Sequence, residues 1–121
     1  MSKEFFYLKL IAHSPLLFFT NKMREKMHYR ITRVHHKSDS IQKMIKYIES
    51  KNDSIKAING LQSVKIIAVS DITSIAISIY ENEQQVIDAQ EQFKEIMVGM
   101  MPFMTKEPEI SNGDVIWESY I

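Results

Sequence analysis

The 121-residue sequence contains no cysteine, which excludes disulfides, thiolate nucleophiles and sulfur-ligated metal sites together. Glycine and proline occur only three times each, so the chain has no Gly-rich phosphate loop, nucleophile elbow or zinc-hydrolase motif. Charge of one sign is also missing: fifteen Lys/Arg balance fifteen Asp/Glu. Neither nucleic acid nor an acidic membrane surface is therefore expected as a partner. Long apolar runs are scarce. The greasiest stretch, "FFYLKLIAHSPLLFFT", is broken by Lys9, His13 and Pro15, falls short of the roughly 18 apolar residues of a membrane span, and precedes no A-x-A-like cleavage site. A cytoplasmic protein is the expectation, and a cysteine-free chain fits that reducing compartment.

Hydrophobic residues make up 45% of the chain, enough for one domain with a modest core. Charge is uneven along it. Residues 1–27 hold five Lys/Arg and two Glu, whereas 28–121 hold ten basic and thirteen acidic residues. The first part reads as an N-terminal extension of uncertain role, which a product starting at Met23 or Met27 would lack. Residues 28–121 read as the folded domain.

From residue 28 the pattern is regular. "HYRITRVH" (28–35) suits a strand with one buried face. Asp39 and Gln42 stand in capping-box spacing, and Ile41, Met44, Ile45, Ile48, Ile55 and Ile58 place one apolar stripe on a following helix. One long helix is expected, with "SKNDS" (50–54) as a place to bend and Asn59-Gly60 as its end. "LQSVKIIAVS" and residues 72–80 then read as strands joined by a tight Ser70-Asp71 turn, hence antiparallel. Asn82 and Gln85 start a second helix whose buried stripe is Val86, Ala89, Phe93, Ile96, Met97 and Met100; Pro102 stops it. Asn112-Gly113 reads as a turn before a last strand, "DVIWESYI".

The order β-α-β-β-α-β is the ferredoxin-like arrangement, an α+β fold with a four-stranded antiparallel sheet and both helices on one face. Within "SIAISIY" (74–80) the alternation puts Ile75, Ile77 and Ile79 on one side and Ser74, Ala76 and Ser78 on the other. The isoleucines are expected beneath the helices. The small residues would then form a bare face for a second copy.

The element order, "NGLQSVKIIAVSD", "IAISIYENEQQVIDA" and "GDVIWES" together make residues 28–120 resemble the antibiotic biosynthesis monooxygenase-like group of the dimeric α/β barrel superfamily. The resemblance implies two sheets packed face to face, helices outward, around an interior that can hold a small apolar or aromatic ligand. It implies no cofactor for the oxidation of aromatic polyketides. Haem-degrading members use an Asn near the end of the first strand with a later Trp and His. This first strand has no Asn, and no His follows His36, which speaks against haem degradation.

The candidate ligand-lining residues are Arg33, His35, Tyr80 and Trp117, and the candidate dimer face is Ser74, Ala76 and Ser78. His35 and His36 point to opposite faces of a strand, as do Arg30 and Arg33. A metal site would need a third ligand from elsewhere, and His28 would share the face of His36 only in a strand that stays regular; no metal site is expected. Trp117 is read mainly as a packing anchor, Glu118 as solvated, and the methionines 97, 100, 101 and 104 as adaptable packing. Two functions follow: a non-catalytic small-ligand-binding or stress-associated homodimer, or a cofactor-independent monooxygenase-like enzyme acting on an oxidisable small molecule.

Overall fold

The computed structural model describes residues 27–121; the expected N-terminal extension, Met27 apart, lies outside the described residues. The elements are β1 (His28–His35), α1 (Ile41–Ser50), α2 (Asn52–Lys56), β2 (Leu61–Ser70), β3 (Thr73–Tyr80), α3 (Glu83–Asp88), α4 (Gln90–Met100), a 3-10 turn (Met101–Phe103) and β4 (Glu109–Asp114). They form one four-stranded sheet in the order β2-β3-β1-β4, antiparallel at every pairing. This is the expected ferredoxin-like α+β fold.

Local chemistry places most boundaries. The expected long first helix is broken at Lys51, where the polar run "SKNDS" lies, into α1 and α2. Its N-cap is Ser40 rather than Asp39, and no side chain caps it. Gly60 ends the segment with φ +82°, a left-handed conformation that suits glycine. Asn82 caps α3 as expected, its Oδ1 accepting from the Gln85 N–H at 3.0 Å. The second helix is interrupted at Ala89, and Pro102 enters the 3-10 turn that follows.

Two expectations are corrected. The last strand is "EISNGD", which includes the Asn112-Gly113 pair read as a turn. It pairs with β1 from His28↔Asp114 to Arg33↔Glu109. The apolar stretch beyond it forms no strand: Ile116, Trp117 and Tyr120 are exposed, Trp117 at 79%. Beyond Asp114 the chain runs past the start of β1 at His28, whereas "EISNGD" has β1 beside it and His28 to hold its polar side chains.

The second correction is larger. Ser74, Ala76 and Ser78 face the helices, together with Arg30, Thr32, Val34 and Tyr80. Register leaves Ile75, Ile77 and Ile79 on the open face, opposite Arg33, Ile31 and Tyr29 of β1 and Ile67, Lys65 and Ser63 of β2. The physical reason is room. Side chains from the helices, their connections and the sheet fill the layer between helices and sheet: Val34, Met44 and Met100 in one cluster, Ile58, Tyr80, Val86 and Ala89 in another. Small residues on the central strand make space for them.

Candidate functional site

The helix-covered layer is not filled completely. A cavity of about 80 Å³ lies between the sheet and the helices, well above the roughly 10–15 Å³ that one water requires. Its floor is the small-residue side of β3, Ser74, Ala76 and Ser78. Met97 and Phe93 of α4 and Met44 of α1 roof it. On the β2 side Val64 and Ile66 also line it while remaining more than a third exposed, so the cavity opens toward that edge. Nearly all of its surface is apolar.

Arg30 is the charged residue among those that line the cavity. Its place in β1 points it under α4, and the residue is 4% exposed. The guanidinium lies over the Phe93 ring at 3.8 Å and near the Tyr80 ring at 5.2 Å. One terminal nitrogen donates to the Tyr80 hydroxyl at 2.9 Å, the other to the Val86 carbonyl at 3.3 Å. Among the described residues no carboxylate forms an ion pair with it. Burial pulls its pKa below the ordinary arginine value, opposed by Tyr80 through charge and hydrogen bond. An arginine stays charged through such a shift.

A second polar pair lies at the other end of the floor. His36 is buried, and its Nε2 stands 2.9 Å from the Ser74 hydroxyl oxygen. Nδ1 lies 3.0 Å from the Lys37 carbonyl, an acceptor only, so Nδ1 carries a hydrogen. In the neutral ring Nε2 is then the acceptor and Ser74 Oγ–H donates to it. Backbone bonds hold this corner: His36 N–H to the Ile72 carbonyl at 2.8 Å, Lys37 N–H to Phe103 at 3.1 Å, and Thr105 N–H to His35 at 2.9 Å. The arrangement supplies a hydroxyl on the cavity wall backed by a proton acceptor.

The expected lining residues separate. Tyr80 belongs to the cavity. Arg33 and His35 meet on the open face, where Arg33 Nε and His35 Nε2 lie 3.6 and 3.5 Å from the Glu109 carboxylate, and the Thr73 hydroxyl is 3.4 Å from His35 Nδ1. Trp117 is on the exposed C-terminal stretch, outside every strand, and does not line the cavity. Ser74, Ala76 and Ser78 line the cavity rather than a bare face. Sequence reasoning put Arg30 and Arg33 on opposite faces and His35 and His36 likewise, but named the outward member of each pair. The signal that separates them is Tyr80: Arg30, His36 and Ser74 share its face of the sheet.

At the far end of β1, His28 is held between β4 side chains. Nδ1 lies 2.7 Å from Asp114 Oδ1 and Nε2 2.8 Å from Asn112 Oδ1. Burial lowers its pKa, but the hydrogen bonds to Asn112 and Asp114 and the charges of Asp114 and Glu83 outweigh that, and the net displacement from 6.5 is upward. Among the described residues no group of His, Asp and Glu is arranged to hold a metal ion, and no helix is long and apolar enough to cross a membrane.

No protein-family model matches the sequence, and no curated protein matches it. Solved structures do. The cofactor-independent oxygenase SnoaB of Streptomyces nogalater, in a variant form, superimposes with a TM-score of 0.66 at 9% identity, over 78% of this chain and 97% of that one. A Caulobacter crescentus protein described as a candidate antibiotic biosynthesis monooxygenase gives 0.65 at 13% identity, over 83% and 99%. A Nitrosomonas europaea protein of unknown function gives 0.65 at 11%, over 81% and 97%. The fold is that of the antibiotic biosynthesis monooxygenase-like proteins, as the resemblance implied.

Proposed function

We propose that the protein is a homodimer that receives a small apolar molecule in the helix-covered cavity of each subunit. The observation that carries this reading is the cavity itself: space left over a floor of small residues, under flexible methionines, in a layer that is otherwise packed. The second copy is argued from the other face. Ile75, Ile77 and Ile79 are only partly covered by their own chain, and Ile31 and Ile67 beside them are 44% and 46% exposed. Such a contiguous apolar surface belongs against something. Lys65, Arg33 and Glu109 at its margins carry both signs of charge, which a two-fold axis can set against one another.

Binding without catalysis is the favoured form. The cavity is small, and its polar groups are engaged with each other, Arg30 with Tyr80 and Ser74 with His36. One observation favours the alternative, a cofactor-independent monooxygenase-like enzyme. The Ser74–His36 pair offers a route for a proton from an acidic O–H or C–H of a bound molecule to His36 Nε2, leaving an electron-rich anion. The fold shared with SnoaB is compatible with that chemistry but does not select it.

The test is an NMR titration of the methyl-labelled full chain with toluene and indole. Shifts confined to the methyls of Val34, Ile48, Met97 and Met100 support the cavity as the site. Saturating ligand with no methyl shift there contradicts it. Oxygen uptake with polyhydroxylated aromatics that is lost in His36→Gln would establish the alternative.

A further inference from the structure

We infer that the cavity selects small apolar carboxylates, the ligand's carboxylate supplying the counter-charge to Arg30 that the described part of the chain does not provide. The inference rests on the cavity being a ligand site and adds the chemistry of the ligand. Three observations lead to it. Arg30 lines the cavity and is almost fully buried. No described carboxylate pairs with it. The groups it does touch, the faces of Phe93 and Tyr80, the Tyr80 hydroxyl and the Val86 carbonyl, orient the guanidinium without cancelling its charge.

A buried charge without a partner is costly, and a positive group in an apolar enclosure is far more attractive to an anion than the same group in water. The arginine fork matches a carboxylate in geometry as well as sign. Two contacts already engage one hydrogen on each terminal nitrogen, and a guanidinium has five N–H donors in all. Stacking on Phe93 fixes its plane. The rest of the wall, Met97, Ile48, Val34 and Ala76 among them, suits a short branched or single-ring hydrocarbon body. The phosphate dianion is a poor match for so dry a wall. A monoanionic carboxylate on an apolar body therefore fits both halves of the enclosure.

The experiment is calorimetric titration of the full chain at neutral pH with benzoate, benzyl alcohol and benzamide, repeated with isobutyrate, isobutanol and isobutyramide. The expected result is binding of at least one acid tenfold or more tighter than both of its neutral counterparts. In Arg30→Gln that preference disappears while binding of the neutral compounds persists. Arg30→Lys, which keeps the charge but loses the fork, retains part of it. Neutral compounds binding as tightly as the acids overturn the inference and leave the cavity reading standing. Failure of every compound to bind overturns both. The comparison among ligands on the unaltered protein decides the matter even if the Arg30 variants do not fold.

Discussion

Tyr47 of α1 donates its hydroxyl to the Ile96 carbonyl of α4 at 2.9 Å, and it does so across the space that a Cβ on Gly99 would occupy. The ring also meets Phe103, with centroids 6.4 Å apart. Gly99 thus lets the two helices close over the sheet, and the roof of the cavity depends on that closeness. An alanine at 99 would gain about 1 kcal/mol of helix propensity but would displace the Tyr47 ring. Overpacking of this kind costs about 1–3 kcal/mol. Gly99→Ala is therefore expected to lower stability in urea denaturation, and Gly99→Ala combined with Tyr47→Leu to recover part of the loss relative to Tyr47→Leu alone.

His28 ties β1 to β4 through Asp114 and Asn112. Only the protonated ring donates from both nitrogens, which agrees with the upward displacement of its pKa. A histidine whose pKa is raised on folding stabilises the fold fully below its unfolded pKa near 6.5. That contribution is lost as pH rises through the higher folded value. The protein should lose stability as pH rises above about 6.5, with amide exchange increasing first in β4. In His28→Gln that part of the pH dependence should be absent. A stability profile in which the His28→Gln variant retains the same loss would contradict the assignment.

Ser74 and His36 are buried partners. Ser74→Ala leaves Nε2 of His36 without its hydroxyl donor, an omission that costs about 1–3 kcal/mol in a buried site. Stability by denaturant titration should fall by that order, and less in Ser74→Thr if the hydroxyl is kept in place. Loss smaller than about 0.5 kcal/mol in Ser74→Ala would mean that water replaces the hydroxyl and that the corner is wetter than the burial of His36 implies.

Much of the fold was legible in residues because local chemistry and tertiary packing agree along most of the chain. Asn82 is a favoured N-cap residue and accepts from the Gln85 N–H, and Gly60 ends a helical segment at a positive φ that suits glycine. The last strand was not legible. "EISNGD" looks like a turn, and only the neighbouring β1 with His28 makes it a strand. Which face of β3 is covered was also beyond alternation alone. A period of two separates Ile75, Ile77 and Ile79 from Ser74, Ala76 and Ser78 but does not say which set meets the helices. Tyr80 was the available clue, since a large aromatic at the strand end shares the small residues' face and is 1% exposed. At the site, Arg30 and His36 were seen, but Arg33 and His35, which lie on the open face, were named as lining instead.

The inversion leaves the case for self-association on different residues. Small side chains no longer supply the surface; branched ones do, with Ile77 at its centre between Ile31 and Lys65. Native mass spectrometry of the full chain at micromolar concentration, beside Ile77→Lys, measures this most directly. The account predicts a species of twice the 14.2 kDa subunit mass for the unaltered protein and a folded monomer for Ile77→Lys. A folded monomer for the unaltered protein, or a dimer that Ile77→Lys leaves intact, would contradict it.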